Sequence, residues 1–533
     1  MNRKVLALTA VVGVLIAVLT VYYRYSPLHP HRDFIVAGTT DRLTTSRDVS
    51  APVDPAYAYD VGAWNLLRQT VQTLMVHRGN GEPEPEAAQN CGFTDTGSER
   101  YACVLRKGLK FSDGTPLTAA DVKFSIDRAR TIKANSGASA LLSSIDMVET
   151  LGVDKVVFHL KTADATFPFK LSTPVAGIVS SKNYAEGKLR KGFAIDGSGP
   201  YAMRAYVKDN TLVKATFTKN PNYHGLLTPK TDTVVLKYFK NAAEMGDSLE
   251  KGGIDVMTRT MSPDQIRKFK DDGDGSAKLV EMLGLEIRFL GFNTNAASVK
   301  SKAVRQAIAQ AIDRSELVST VYGTEAQPLY SLVPATIVGH TNAFFNKYGE
   351  PSVAKARTIL ANGGITTPVK LTLHYASDRY GPTSKKEFEV LKNQLNSSRL
   401  FNVSIEDTPW SQFRIAKQKG GFDVYGMGWF PDYPDAENFL APFLDTNNVL
   451  NSPYNNSVIR DTLIPESRRT PDRIAASKTL ERIQEIAAAD VPILPLWQGK
   501  QYLAATDSTA RSQFATNSSS TLQLWELELT GLR

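Results

Sequence analysis

LRKGLKFSDGTPLTAADVKFSIDR, Leu105–Arg128, holds a strand-like start, a turn and the opening of a helix. Asp113-Gly114 makes the turn and Pro116 stiffens it. Thr118 is placed to begin the helix, with Val122, Ile126 and Ala129 on one apolar stripe. Asp121, three residues after Thr118, takes the reciprocal position of a capping box. The same alternation continues outward. Strand-like runs fall at Phe34–Ala37, Val156–Leu160, Val234–Phe239, Leu371–Tyr375 and Val403–Glu406. Ser301–Val321 reads as one helix carrying Val304, Ile308, Ala311 and Ile312. Ser352–Asn362 reads as another, stopped by Gly363-Gly364. Ser384–Asn396 presents Phe388, Leu391 and Leu395. Thr470-Pro471 reads as the start of the last long helix, with Ala476, Leu480, Ile483 and Ala487 on its buried face. Strands separated by helices predict α/β lobes.

The composition is compatible with that architecture. The chain has 533 residues, which favours three or four domains or one large protein split into lobes. Apolar residues make up 42% and charged residues 22%, so collagen-like, coiled-coil and wholly disordered states are excluded. The net charge of +8 is spread without a basic run of five or six residues, so no nucleic-acid partner is expected. Two cysteines, Cys91 and Cys103, rule out a four-cysteine zinc site.

Val5–Tyr23 is free of charge and bracketed by Lys4 and Arg24. As a helix this run is about 28 Å long, enough to cross a hydrocarbon core. No small-x-small cleavage site ends it, and Tyr22, Tyr23 and Tyr25 suit an interfacial belt. The expectation is a cytoplasmic stub at 1–4, an uncleaved signal anchor at 5–23 and a linker at 24–32. The protein is then held in the cell membrane by one pass, with its soluble part outside the cytoplasm. A cleaved signal peptide with an atypical site is the competing reading. In an oxidising compartment Cys91 and Cys103 could close a loop of about a dozen residues, contributing roughly 3 kcal/mol. Two unpaired thiols are the alternative.

Motifs for catalysis are missing. The sequence has no G-x-S-x-G elbow, no Walker loop, no G-x-G-x-x-G and no HExxH. Asp271, Asp272 and Asp274 hint at a calcium loop, but the twelfth position counted from Asp272 is Leu283, not glutamate. A solvated acidic turn fits better. A binding protein is expected rather than an enzyme, with no cofactor, metal site or catalytic residue.

Four segments in order resemble the solute-binding proteins of peptide-type ABC importers, the dipeptide and oligopeptide binders (bacterial extracellular solute-binding protein family 5). They are Leu105–Arg128; GSGPYAMRAYVKDNTLVKATFTKNPNYHG, Gly197–Gly225; LGFNTNAASVKSKAVRQAIAQAIDRSELV, Leu290–Val318; and FDVYGMGWFPDYPDAENFL, Phe422–Leu440. The resemblance implies a bilobal periplasmic-binding-protein-like α/β fold with an extra subdomain. Lobe I would comprise 33–75, 181–290 and 497–533, the extra subdomain 76–180, and lobe II 291–496. Crossovers near Leu290–Asn293 and Leu494–Trp497 would form the hinge. The implied function is capture of di- or oligopeptides by a monomer that hands them to a permease and ATPase complex. Another solute (an oligosaccharide or metal chelate) or a membrane-anchored ligand sensor remains the alternative. Family members in bacteria with one membrane are usually lipoproteins. This chain lacks the lipobox cysteine, and the N-terminal helix would replace the lipid.

The resemblance also implies site residues. Asp432, three residues after Trp429, would pair with the α-ammonium of a peptide, with Asp435 the rival in the same loop. Either could instead cap a turn, since D-Y-P-D has turn composition. Trp429 would flank the ligand backbone, or belong to the lobe core. Gly426 and Gly428 would let the strand approach the ligand closely. Tyr57 and Tyr59, in DPAYAYD at Asp54–Asp60, are candidates from lobe I. Oligopeptide binders often carry an arginine just before the tryptophan to meet the peptide's carboxylate; Gly426-Met427-Gly428 offers no charge there.

Overall fold

The computed structural model describes residues 32–530 apart from 79–80, 133, 135–136, 259–260, 272–276, 382, 447, 449 and 518. The expected stub, anchor and nearly all of the linker, and the aspartates at 272 and 274, lie outside the described residues. Among the described residues no helix is long and apolar enough to cross a membrane.

One mixed sheet of 11 strands runs through the molecule. At its centre the long strands Lys278–Phe292 and Ile493–Ala505 pair antiparallel, from Lys278↔Ala505 to Gly291↔Ile493. Register shifts interrupt this ladder between Leu283 and Ile287 and between Arg288 and Phe289. On one side follow Val424–Trp429, Val369–Tyr375 and Phe401–Asp407. On the other follow Val256–Thr258, Ile35–Thr39, Thr233–Tyr238, Thr211–Lys219 and Tyr201–Lys208. The short strand Ala326–Pro328 pairs off the path with Ile493–Ala505. A separate four-stranded sheet orders Ala88–Phe93, Arg100–Leu105, Lys155–Leu160 and Ile145–Leu151.

Three large hydrophobic clusters follow from this layout. The first joins Ile35, Val234 and Leu503 with Tyr101, Ile126 and Phe158, so the four-stranded sheet shares a core with the distal end of the large sheet. The second packs Phe388, Leu391 and Leu395 of the helix Thr383–Ser397 against Leu373, Val403 and Val424. The third gathers Phe289, Phe439, Leu480 and Ile483 on the opposite face. Ile35–Thr39, inside the sheet, is buried at every residue, whereas the edge strands Phe401–Asp407 and Tyr201–Lys208 alternate buried or half-buried positions with exposed ones.

The expected strands are present, with ends differing by one or two residues. In the opening stretch the helix is Ala119–Ile132. Asp121 Oδ2 accepts from the Thr118 amide at 2.9 Å and from its hydroxyl at 3.0 Å. Only the backward half of the capping box forms: the Asp121 amide donates to the Thr118 carbonyl at 3.0 Å rather than to its hydroxyl.

Two expectations need correction. Ser301–Val321 is two helices, Lys302–Ala311 and Arg314–Val321. Asp313 breaks the run by capping the second helix through Glu316 N at 2.9 Å. The last long helix is Ser477–Asp490, so Thr470-Pro471 does not open it. Asp472 instead holds a turn by accepting from Ile474 N and Ala475 N.

Candidate ligand-binding cleft

The loop after Val424–Trp429 turns into the helix Glu437–Leu444 and carries both candidate carboxylates. Asn438 clamps Asp432 from that helix: its Oδ1 accepts the Asp432 amide at 2.9 Å and its Nδ2 donates to Asp432 Oδ2 at 3.4 Å. From the loop before the helix Val61–Thr70, the Tyr59 hydroxyl donates to the same oxygen at 3.1 Å. Neither bond reaches Asp432 Oδ1. Burial pushes the Asp432 carboxyl up to about 6, against the opposing pull of Asn438, Tyr59, Arg68 and Lys170. A largely desolvated carboxylate with an unused oxygen can take a cationic hydrogen-bond donor.

Asp435 is committed elsewhere. Arg473 grips it with Nε at 2.7 Å and Nη2 at 3.0 Å, and both side chains are 5% exposed. Asp435 Oδ1 also accepts the Glu437 amide at 2.8 Å. The two aspartates of D-Y-P-D thus divide: Asp435 caps and braces the loop, and Asp432 faces Tyr59.

The tyrosines divide as well. Tyr59 reaches Asp432 and lies 5.8 Å from the Trp64 ring. Tyr57 stands in a turn that its amide closes on Asp54 O at 2.9 Å. Asp54 is locked by Arg128 through paired bonds of 2.8 and 2.6 Å, with the amides of Ala56 and Arg190 completing its shell. DPAYAYD is therefore held rigid at its first residue and offers Tyr59 at its end.

Trp429 packs edge-on against Phe443 at 5.4 Å and belongs to the border of the third cluster. Gly426 and Gly428 differ from their expected role. A Cβ on Gly426 would collide with the Phe388 ring, and one on Gly428 with Arg288 Nη1. Their missing side chains make room for protein groups. Gly428 pairs with Arg288 across the sheet, so a cation does stand beside this strand, supplied by its neighbour. Arg288 lies 4.0 Å from the Tyr380 ring and 5.4 Å from that of Trp497. Glu286 faces it at 2.8 Å, and burial of the guanidinium is outweighed by Glu286, Tyr380, Tyr322 and Glu387. Asn293 ties backbone: its Nδ2 donates to Gly420 O at 3.1 Å.

Contacts at the rim bring the two halves together. Phe169 stacks on Tyr433 at 5.7 Å, the Ala165 amide donates to Arg468 O at 2.7 Å, and Ser98 Oγ donates to Arg469 O at 3.4 Å. Glu437 lies beneath this rim. Burial opposes its charge, but Arg468 and Lys170 outweigh it and hold the carboxyl at about 2. Arg68, Phe169, Tyr433 and Arg473 were not singled out by the sequence reading. An arginine in the last turn of a helix reads as a dipole partner, and only the folded chain sets Arg68 near Asp432.

The geometry describes a closed cleft with a charged floor, and the family follows from comparison. The model for bacterial extracellular solute-binding proteins, family 5 Middle, matches residues 82–451. The chain belongs to this family. The Dipeptide-binding protein of Escherichia coli strain K12 is 25% identical over 464 residues, covering 82% of this chain and 84% of that one. Heme-binding protein A of Haemophilus influenzae is also 25% identical, over 476 residues, with 83% and 84% covered. The structure of the binding protein DppA from Helicobacter pylori in complex with the peptide STSA superposes with a TM-score of 0.75 at 22% identity, covering 93% of this chain and 98% of that chain. Family 5 membership establishes a bilobal α/β solute-binding protein of the ABC-importer type, a binding protein and not an enzyme. Among the described residues no group of three or more His, Cys, Asp or Glu side chains could hold a metal ion.

Proposed function

We propose that this family 5 protein captures peptides outside the cytoplasm and presents them to the permease of an ABC importer. The observation that carries this reading is Asp432: a buried carboxylate with one oxygen unused, facing a tyrosine of the opposite lobe. Such a group suits the α-ammonium that every unmodified peptide carries, and a sequence-tolerant site must read groups common to all peptides. Trp429 and Tyr59 would border the ligand. Lobe I is taken as 33–75, 181–290 and 497–533, with the extra subdomain at 76–180 and lobe II at 291–496. The apolar segment 5–23 would tether the protein beside its importer. The Cys91–Cys103 bond, between residues paired across Ala88–Phe93 and Arg100–Leu105, fits an exported protein.

Mass spectrometry of small molecules released from protein purified out of its own cells tests the reading. Peptides in molar proportion to protein are expected. A saccharide, chelate or other solute in that proportion would replace the peptide assignment.

A further inference from the structure

The helix Glu437–Leu444 is apolar along most of its length and buries Phe439, Leu440, Phe443 and Leu444 in the third cluster. Its first two residues depart from that pattern. Glu437 is 4% exposed and Asn438 2%, and both side chains are polar. Burying such groups is costly unless each finds its partners, and both do. Asn438 grips Asp432 twice, accepting its amide and donating to its Oδ2, the oxygen that Tyr59 also uses. An acid in the first turn ordinarily serves its own helix terminus. Glu437 instead takes Arg468 on Oε1, with Nε at 3.0 Å and Nη2 at 2.7 Å, and the Tyr433 hydroxyl on Oε2 at 2.7 Å.

Successive residues of a helix point about 100° apart. One turn therefore serves two places: Asn438 reaches the cleft carboxylate and Glu437 reaches the rim. The two groups that Glu437 holds are the ones that meet the segment 165–170. The Tyr433 ring stacks on Phe169 at 5.7 Å, and Arg468 O accepts the Ala165 amide at 2.7 Å. Asp435 anchors the turn, taking the Glu437 amide on Oδ1 and the Asn438 amide on its carbonyl at 3.0 Å. The segment 165–170 also brings a cation. Lys170, held by both oxygens of Asp164 at 2.9 and 2.8 Å, favours the charged form of Asp432 and of Glu437. Both carboxylates thus gain when the rim is shut.

We propose that Asn438 and Glu437 are positioning residues that tie the ammonium site to the rim: Asn438 fixes the Asp432 carboxylate so that Oδ1 meets the ligand, and Glu437 holds Tyr433 and Arg468 where Phe169 and Ala165 reach them on closure. This rests on the reading of Asp432 given above and adds a division of labour to it. Asn438 governs whether the anion is available, and Glu437 governs how long a captured ligand stays.

The test crosses two variants with two readouts, using the full chain and trialanine as the probe. The Asp432 carboxyl is titrated by carbon-13 NMR without ligand, with Asp432→Asn supplying the assignment. Release of trialanine is timed by stopped-flow tryptophan fluorescence. Asn438→Leu is expected to raise the titration midpoint of Asp432 above the parent's by roughly one pH unit, since it removes a donor to the anion. Glu437→Gln should leave the midpoint at or below the parent's, because deleting a nearby negative charge favours the anion, yet release trialanine roughly 3- to 30-fold faster. Arg468 keeps Asp445 at 2.9 Å in that variant, so its charge is not orphaned. Unfolding curves report whether each variant is folded. Asn438→Asp, which retains the acceptor for the Asp432 amide and should also raise the midpoint, replaces an unfolded Asn438→Leu. Tyr433→Phe, which keeps the ring but frees it from Glu437, replaces an unfolded Glu437→Gln. An unmoved midpoint in a folded Asn438 variant, or an unchanged release rate in the folded rim variant, overturns the proposal. If trialanine does not bind, release is timed with the molecule that co-purifies; a non-peptide there refutes the peptide reading and leaves the positioning test in place.

Discussion

Tyr59 and Asp432 are joined by a 3.1 Å hydrogen bond although 373 residues separate them in the chain. The bond closes the cleft at the carboxylate that we assign to the ligand's ammonium. It supplies one neutral donor, so a cation arriving at the other oxygen still finds an unpaired negative charge. Tyr59 therefore shapes the site without neutralising it.

Asp432→Asn keeps the shape and a hydrogen-bond acceptor but deletes the charge. Breaking a buried, hydrogen-bonded charge pair costs about 2–5 kcal/mol, or roughly 30- to several-thousand-fold in affinity. Calorimetry with a peptide that binds the parent is expected to show this loss. The N-acetylated peptide, which has no ammonium, should bind the parent weakly and lose little more. Equal binding of the free-amine peptide by both proteins would refute the assignment.

Acid should release the ligand. With the Asp432 carboxyl at about 6 in the ligand-free protein, the anion needed for pairing is abundant above that value and scarce below it. Affinity is expected to be flat near pH 7 and to fall about tenfold per unit once pH drops below 6. Asp432→Asn should flatten this acid limb. A parent whose affinity is constant from pH 7 to pH 4 would show that Asp432 does not pair with the ligand.

Asp435→Asn should damage folding rather than recognition. It leaves Arg473 buried and unpaired, which costs about 3–5 kcal/mol. Denaturant unfolding should report that loss, while affinity below the transition stays near the parent value. A large affinity loss with unchanged stability would move the ammonium site to Asp435.

Cys91 and Cys103 should resist alkylation in native exported protein and react after reduction. Replacing both by alanine is expected to lower stability by about 3 kcal/mol in the chain-entropy account. Free thiols in unreduced protein would contradict the pairing.

Closure should depend on the rim. Phe169→Ala or Tyr433→Ala removes a ring pair that contributes about 0.5–1.5 kcal/mol beyond its buried area, so ligand affinity should drop roughly 2- to 10-fold without any change at Asp432. Small-angle scattering of the parent should show a smaller radius with ligand than without it. An identical profile at saturation would argue against lobe closure.

Local chemistry made much of the fold legible. The capped helix after Asp113-Gly114 and the strands around it depend on neighbours within a few residues, and they stand where expected. Ser301–Val321 misled because its apolar stripe continues through a break; the signal was Asp313 with Glu316, a start motif inside a helix pattern. At the cleft the aspartate-rich loop stood out, yet nothing local separates Asp432 from Asp435. That distinction is made by Arg473, 38 residues further on, and by Tyr59, 373 residues earlier. Arg288 was equally hidden, because it reaches the strand Val424–Trp429 from a neighbouring strand far away in sequence.

The two central strands of the large sheet, Lys278–Phe292 and Ile493–Ala505, are hydrogen-bonded to each other from Lys278↔Ala505 to Gly291↔Ile493 except at one irregular stretch. A protease that cut one of them at its irregular stretch near Leu283 would therefore not separate the two halves of the sheet. The severed ends would remain zipped to the intact partner, and a nicked molecule should migrate as one species until denaturant separates the pieces. For a protein exposed outside the cytoplasm, that redundancy in connectivity is a form of resistance to digestion.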